Sequence, residues 1–173
     1  MCDLNSAWKE KAIQLESENR ILKSRITPPC PPSEYEIITK DQVKVELLKT
    51  FSDVNMSNIL DNRFMVTSHS EYMRFVSWDN TNIFDYESEY HDCDDYALAL
   101  SGDFAKYNTW SSYPIGVAKI YWRDIDKAHA ICFSIGWESF SDKTIGIYYI
   151  EPQDDHEIAY EMLEDADIKL LFL

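Results

Sequence analysis

The chain has 173 residues, of which 45% are hydrophobic and 14% aromatic, so it can bury the core of one moderate domain and is not disordered throughout. Its formal net charge is −15, from 31 acidic and 16 basic residues, which repels phosphates and disfavours binding to nucleic acid. Only four glycines occur, and no Gly-rich phosphate-binding motif is present. Four scattered cysteines without a C-x-x-C pair favour a reducing compartment. We expect no membrane partner, since there is no apolar signal core or long apolar run, and a location that is cytoplasmic or associated with a virion.

Residues 1–26 are predicted to form a coiled-coil arm. Trp8, Leu15 and Leu22 recur every seventh residue and define position d of a heptad, and Asn19 at position a would specify the register. The arm therefore predicts a homo-oligomer joined through this helix. The alternative is a single amphipathic helix packed on its own domain.

Residues 27–34 contain four prolines and end the predicted helix. Proline cannot continue a helix, and a run of prolines forms a stiff extended spacer. We therefore divide the chain into an arm (1–26), a proline-rich linker (27–34) and a globular domain (35–173).

The globular domain is predicted to begin with helices and to continue with strands. Asp41–Phe51 has helical spacing, Ser68 with Glu71 fits a capping box before a second helix, and Asp92–Phe104 reads as a third. After Pro114 the residues are β-branched and aromatic, and they predict strands over 115–122, 130–137 and 144–150, with a further strand over 168–173. Helices followed by an antiparallel sheet predict an α+β fold.

Cys93 stands at the predicted start of the third helix, among three aspartates. A helix N-terminus lowers the pKa of a thiol and favours the nucleophilic thiolate. Asp92, Asp94 and Asp95 oppose this effect, since like charges disfavour a thiolate. A bound divalent cation would neutralise them. The alternative is a buried, inert cysteine.

His129 and Glu151 are the predicted partners of Cys93. His129 opens an apolar strand and is the candidate base, with His91 as its rival. Glu151 ends a strand and would orient the imidazole, and Gln153 would donate to an oxyanion or ligate a cation. Considered one at a time, each of these three residues is equally consistent with an ordinary structural or solvated role.

Three motifs in this order resemble a known family. The run Asp92–Ala97, with His129–Ala130 and Ile150–Gln153, is similar to the papain-like cysteine protease domain of the Marasmius oreades agglutinin type, which has related domains in bacteria and phages. The resemblance covers residues 55–155, a little over half of the chain. The β-trefoil lectin repeat of that agglutinin is absent, so sugar binding is not part of this expectation.

The resemblance implies a fold, a triad and a cation. The fold would be papain-like or transglutaminase-like, with Cys93 as nucleophile, His129 as base and Glu151 as orienting acid. Calcium or manganese would bind beside the cysteine, with Asp94, Asp95 and Gln153 as candidate ligands.

The sequence therefore predicts a cation-dependent cysteine peptidase or amidase that acts on a peptide or protein substrate. The first alternative is a non-catalytic structural or adaptor protein, such as a component of a phage particle. A second alternative keeps the triad and changes the reaction to acyl transfer, since both reactions use the same three residues.

Overall fold

The computed structural model describes Lys11 and residues 27–51, 54–83, 87, 92–123, 126–139, 141, 143–163 and 165–173. Its central element is a five-stranded antiparallel sheet in the order β6–β5–β4–β3–β7. The strands are β3 (Ile115–Trp122), β4 (Lys127–Trp137), β5 (Ile145–Glu151), β6 (His156–Ile158) and β7 (Ala166–Phe172).

Smaller elements cover both faces of this sheet. They are the antiparallel pair β1 (Glu36–Thr39) and β2 (Arg63–Val66), and the helices α1 (Lys40–Leu47), α2 (His69–Val76) and α3 (Cys93–Lys106). Successive residues of a strand point to opposite faces, so β3 contributes to two cores. Ile120 is buried in a cluster with Leu47 of α1, and Val117 is buried in a cluster with Tyr72 of α2 and Leu100 of α3.

The proline-rich segment lies against the domain. The Trp110 indole donates to the Pro29 carbonyl at 2.9 Å, and the Arg74 guanidinium donates to the Cys30 carbonyl at 2.6 Å. Thr67 Oγ1 donates to the Glu34 carbonyl at 2.8 Å. These hydrogen bonds fix the path by which the chain enters the domain, so the segment is docked along its length.

The expected fold class is wrong. The described chain is mostly β, with a five-stranded sheet, a two-stranded sheet and three α-helices of 8, 8 and 14 residues. The papain-like or transglutaminase-like arrangement of leading helices is not found, because β1 and β2 come before and between the first two helices. The antiparallel sheet expected after residue 114 is present.

Two helix starts differ from expectation. The first helix is capped by Thr39 instead of Asp41, because the Thr39 and Gln42 side chains each accept from the other residue's backbone N–H. Ser68 is the N-cap of α2, but its hydroxyl bonds Ser70 Oγ at 2.9 Å and makes no capping bond.

The predicted coiled-coil arm lies outside the described residues, apart from Lys11. Its oligomerisation and the three-part division of the chain therefore stay predictions. None of the described helices has the length and the apolar character that a membrane-spanning helix needs.

Gly116 and Gly102 give a matched test of the sheet packing. A Cβ at Gly116 would lie 2.5 Å from Phe133 Cζ and 2.6 Å from the Phe172 carbonyl oxygen, whereas a Cβ at Gly102 in α3 would meet nothing within 4 Å. We expect Gly116→Ala to lower the free energy of unfolding by about 2 kcal/mol through overpacking. Gly102→Ala should raise it by about 0.5–1 kcal/mol, since Ala is the better helix former. Urea denaturation of the two variants measures both values, and equal stabilities would contradict the packing of β3 against β4 and β7.

Candidate functional site

Cys93 is the first residue of α3, in the turn that the sequence marked as a helix start. Asp92 is the N-cap, and its backbone N–H donates to Asp95 Oδ2 at 3.3 Å. The carboxylate of Asp95 is therefore engaged in capping the helix. The half-buried Cys93 side chain lies at the N-terminal end of α3, and α3 packs against β4.

The surroundings of Cys93 favour the neutral thiol. Burial is the main cause that raises the pKa of Cys93, and the negative charges of Asp92 and Asp94 raise it further. Hydrogen bonds from the backbone N–H groups of Ala130 and of Cys93 itself act in the opposite direction and are outweighed. The helix N-terminus therefore does not suffice to form a thiolate here.

Asp92 and Asp94 form a carboxylate pair around the thiol. One ligand atom from each of Asp92, Cys93 and Asp94 lies within 4.8 Å of the others. The pKa of the exposed Asp94 is raised, chiefly by a hydrogen bond with the Asp92 carboxyl group. Two carboxyl groups this close share a proton or attract a cation.

The predicted ligand set agrees only partly with this group. Asp94 belongs to the group and Asp95 serves the helix cap, while the backbone N–H of Gln153 donates to Glu151 Oε1 at 3.2 Å. Two carboxylates suit a hard cation such as calcium or manganese, whereas a thiol does not. The donor set therefore fits such an ion through Asp92 and Asp94, and its binding stays a prediction.

His129 and Glu151 are joined directly, as the sequence predicted. His129 lies in β4, Glu151 ends β5, and these strands are neighbours in the sheet. His129 Nε2 lies 2.5 Å from Glu151 Oε2, and the two side chains are 23% and 13% exposed. A carboxylate in this position fixes the orientation of the imidazole.

One open cleft of about 270 Å³ brings Cys93 and His129 together. Its walls are formed by Cys93, Asp94, Lys119, Ala128, His129, Ala130 and Leu171. Among the described residues no hydrogen bond joins the Cys93 thiol to His129. The rival base, His91, lies outside the described part of the chain.

A second acidic cluster supports the turn that follows Glu151. Asn82 Nδ2 donates to Asp155 Oδ2 at 2.7 Å, and the Asp155 N–H donates to the Glu151 carbonyl at 2.9 Å. Burial is the main cause that raises the pKa of Asp155 and that of the buried Asp79, each to about 6. The cluster thus ties the turn after α2 to the end of β5.

Sequence reasoning missed two features of the cleft. Asp92 was considered only as a charge beside the thiol, although it supplies one of the two paired carboxyl groups. Lys119 and Leu171 were assigned to strands without reference to the site. The alternation of β3 marks Lys119 as exposed, but only the pairing of β3 with β4 and β7 places it beside Cys93.

Comparisons with solved structures identify lectins of similar fold. A PSL1a–E64 complex superposes with a TM-score of 0.56, and Polyporus squamosus lectin bound to the human-type influenza-binding epitope Neu5Acα2-6Galβ1-4GlcNAc with a TM-score of 0.59. Each is 20% identical to this chain and covers 79% of it, whereas this chain covers 49% and 48% of their respective lengths. No family model matches the chain, and no curated protein matches it.

These findings correct the assignment made from the sequence. The resemblance to the papain-like cysteine protease family is wrong on this comparison, because the similar structures are lectins and no protease family model matches. The prediction of a cation-dependent thiol peptidase or amidase is wrong with it. The roles of Cys93, His129, Glu151 and the metal ligands are not tested by this comparison and stay predictions.

The buried Asp79 predicts a specific pH dependence of stability. Its pKa is about 6 in the fold and about 3.9 in an unfolded chain, so the native state binds more protons between these values. The contribution of Asp79 to the free energy of unfolding therefore falls as pH rises from about 4 to 7. Asp79→Asn keeps an oxygen that accepts from Thr81 N–H, as Asp79 Oδ2 does at 2.8 Å, and removes the charge.

We expect Asp79→Asn to be more stable than the wild type at pH 7.5 by about 1–3 kcal/mol, and equally stable at pH 4. Urea denaturation across this range measures the difference. Asp61→Asn, at an exposed position, is the control and should show no gain that depends on pH. A constant difference between Asp79→Asn and wild type at all pH values would contradict the buried ionisation.

Proposed function

We propose that this chain is a non-catalytic binding module whose ligand occupies the cleft beside Cys93. The observation that carries the proposal is the geometry of the cleft, in which Cys93 lies beside Asp94 and Lys119 and, among the described residues, makes no hydrogen bond to His129. Burial and the two flanking carboxylates raise the pKa of the Cys93 thiol, which favours its neutral form. A neutral thiol, a carboxylate and an imidazole form a polar recognition surface.

The proposed ligand is a glycan. The cleft combines acceptors such as Asp94 with donors such as Lys119 and with the apolar side chains of Ala128 and Leu171, and a saccharide presents hydroxyl groups and C–H faces to such a surface. The lectin that is similar in fold binds Neu5Acα2-6Galβ1-4GlcNAc. This chain spans about half the length of that lectin, and the trisaccharide is the first ligand to test.

The arm would make this module multivalent. Several copies joined by the predicted coiled coil would bind several ligands at once, and avidity would exceed the affinity of one cleft. This arrangement fits a structural or adaptor protein, the alternative that the sequence left open.

A second candidate function is thiol chemistry at the same cleft. The specific observation in its favour is the His129–Glu151 hydrogen bond of 2.5 Å, since a carboxylate that orients an imidazole is the usual support for a base. PSL1a, which is similar in fold, has been solved in complex with E64. Here Cys93 would be the nucleophile, His129 the base and Glu151 the orienting acid, and calcium or manganese at Asp94 would offset the acidic charge. This candidate claims a reactive thiol and makes no claim of peptide hydrolysis.

Blocking the cleft tests the binding function. Ala128 is exposed at the wall of the cleft, whereas its neighbour Lys127 is exposed and does not line it. We expect the wild type and Lys127→Trp to bind the trisaccharide with equal affinity, and Ala128→Trp to lose at least tenfold in affinity, because the indole fills the cavity. Isothermal titration calorimetry measures the three affinities, with Galβ1-4GlcNAc as the ligand that lacks sialic acid. Equal binding by both Trp variants would place the ligand elsewhere, and no binding by the wild type would contradict the glycan.

The arm is tested in the full-length chain. We expect sedimentation velocity to show an oligomer for the wild type and a monomer for the variant Leu15→Lys/Leu22→Lys, because lysine at position d opposes burial in the coiled-coil seam. The variant Ser17→Lys/Ser24→Lys introduces the same two lysines at position f, away from the predicted seam, and controls for the added charge. A wild type that sediments as a monomer would remove the multivalent arrangement.

A further inference from the structure

Two lysines lie opposite each other at the edge of the cleft. Lys119 of β3 is the direct partner of Lys169 of β7 in the antiparallel register, and both are exposed. Lys119 lines the Cys93 cleft, and together with Lys169 it also lines an adjoining cavity of about 160 Å³. The two cavities therefore share Lys119, and the lysine pair extends the cleft along the sheet.

The acidic neighbour of this pair is already engaged. Asp167 lines the adjoining cavity, but Arg123 donates to both of its carboxylate oxygens at 2.7 Å. Among the residues that the structure describes, neither Lys119 nor Lys169 makes an ion pair. Directly opposed like charges on a sheet are destabilising, so this placement carries a cost that a bound anion would offset.

The lysine pair places two positive charges together on an acidic chain. The chain has 31 acidic and 16 basic residues, and two of its exposed lysines are paired with a nearby carboxylate. Lys49 pairs with Glu46, and Lys106 pairs with Asp103. The pair beside the cleft therefore adds two positive charges, unpaired among the described residues, to a chain whose net charge is −15.

We propose that Lys119 and Lys169 bind the carboxylate of a small anionic ligand whose remainder lies in the Cys93 cleft. The inference rests on the proposed function, because it takes this cleft as the ligand site. Asp94 lines the cleft beside Cys93 and repels a carboxylate, so the two charged ends fix the direction in which the ligand lies. Two flexible ammonium groups form a compact anion site that needs no fixed bidentate geometry.

The alkylation of Cys93 by two reagents measures this site directly. Iodoacetate carries a carboxylate and iodoacetamide is neutral, and both consume the same thiolate. The ratio of their rate constants is therefore independent of the thiol pKa and reports the attraction of an anion to the cleft. The full-length chain with Cys2→Ser and Cys30→Ser leaves Cys93 as the accessible thiol, since Cys132 is buried. Mass spectrometry of the Cys93 peptide gives the rates.

We expect Lys119→Gln and Lys169→Gln each to lower the iodoacetate-to-iodoacetamide ratio about two- to threefold at low ionic strength, the effect of one unit charge at roughly 8 Å in water. Salt at 1 M should abolish the difference. Lys44→Gln removes a partly buried charge that lines neither cavity, and it should leave the ratio unchanged. Unchanged ratios in both cleft variants, with wild-type melting temperatures, would overturn the inference.

The failure of this inference and that of the proposed function are distinguishable. If the lysine variants lower the ratio but the wild type does not bind the trisaccharide, the anion site is supported and the glycan is not the ligand. If the chain binds the trisaccharide but Lys119→Gln and Lys169→Gln leave the iodoacetate-to-iodoacetamide ratio unchanged, the lysine pair is not an anion site and the cleft remains the binding site.

Discussion

The contact between α3 and the centre of the sheet determines the position of the whole candidate site. Ala97 of α3 and Ala130 and Cys132 of β4 are buried in one cluster, and the Cys132 thiol donates to the Ala97 carbonyl at 3.2 Å. Small side chains on both elements allow this close approach. The N-terminus of α3 therefore meets β4 at His129 and Ala130, and Cys93 shares a cleft with the residue that Glu151 orients. A larger residue at Ala97 would separate the thiol from the imidazole without touching either.

The same contact produces opposing effects on the ionisation of the Cys93 thiol. The helix N-terminus and the Ala130 N–H group favour the thiolate, whereas burial and the adjacent carboxylates favour the thiol, and the second set prevails. The two candidate functions of this cleft, ligand binding and thiol chemistry, therefore differ in the charge of the Cys93 thiol. A cation at Asp92 and Asp94 would shift this balance towards the thiolate, because it would remove the flanking negative charge.

Local patterns predicted the parts of the fold that depend on neighbours in sequence. The β-branched run Ile115–Trp122 is a strand with those bounds, and the helix after Asp92 begins at Cys93. The pairing of β1 with β2 was not predicted, because it joins segments about 30 residues apart and replaces the expected all-helical start. His129 and Glu151 were placed together correctly, since both lie at ends of adjacent strands. Lys169 was missed, because its place beside Lys119 follows from register alone. The family assignment failed because it rested on three short motifs, whereas the comparison uses 79% of the chain.

The measurement that tests this account most directly is the pH dependence of Cys93 alkylation by iodoacetamide in the full-length chain with Cys2→Ser and Cys30→Ser. The account predicts that half of the maximal rate is reached above the ordinary thiol pKa of about 8.5, and that Asp94→Asn moves this midpoint down. A midpoint below pH 7 in the wild type would show a thiolate at neutral pH. That result would contradict the non-catalytic binding module and leave the reactive thiol as the function of the cleft.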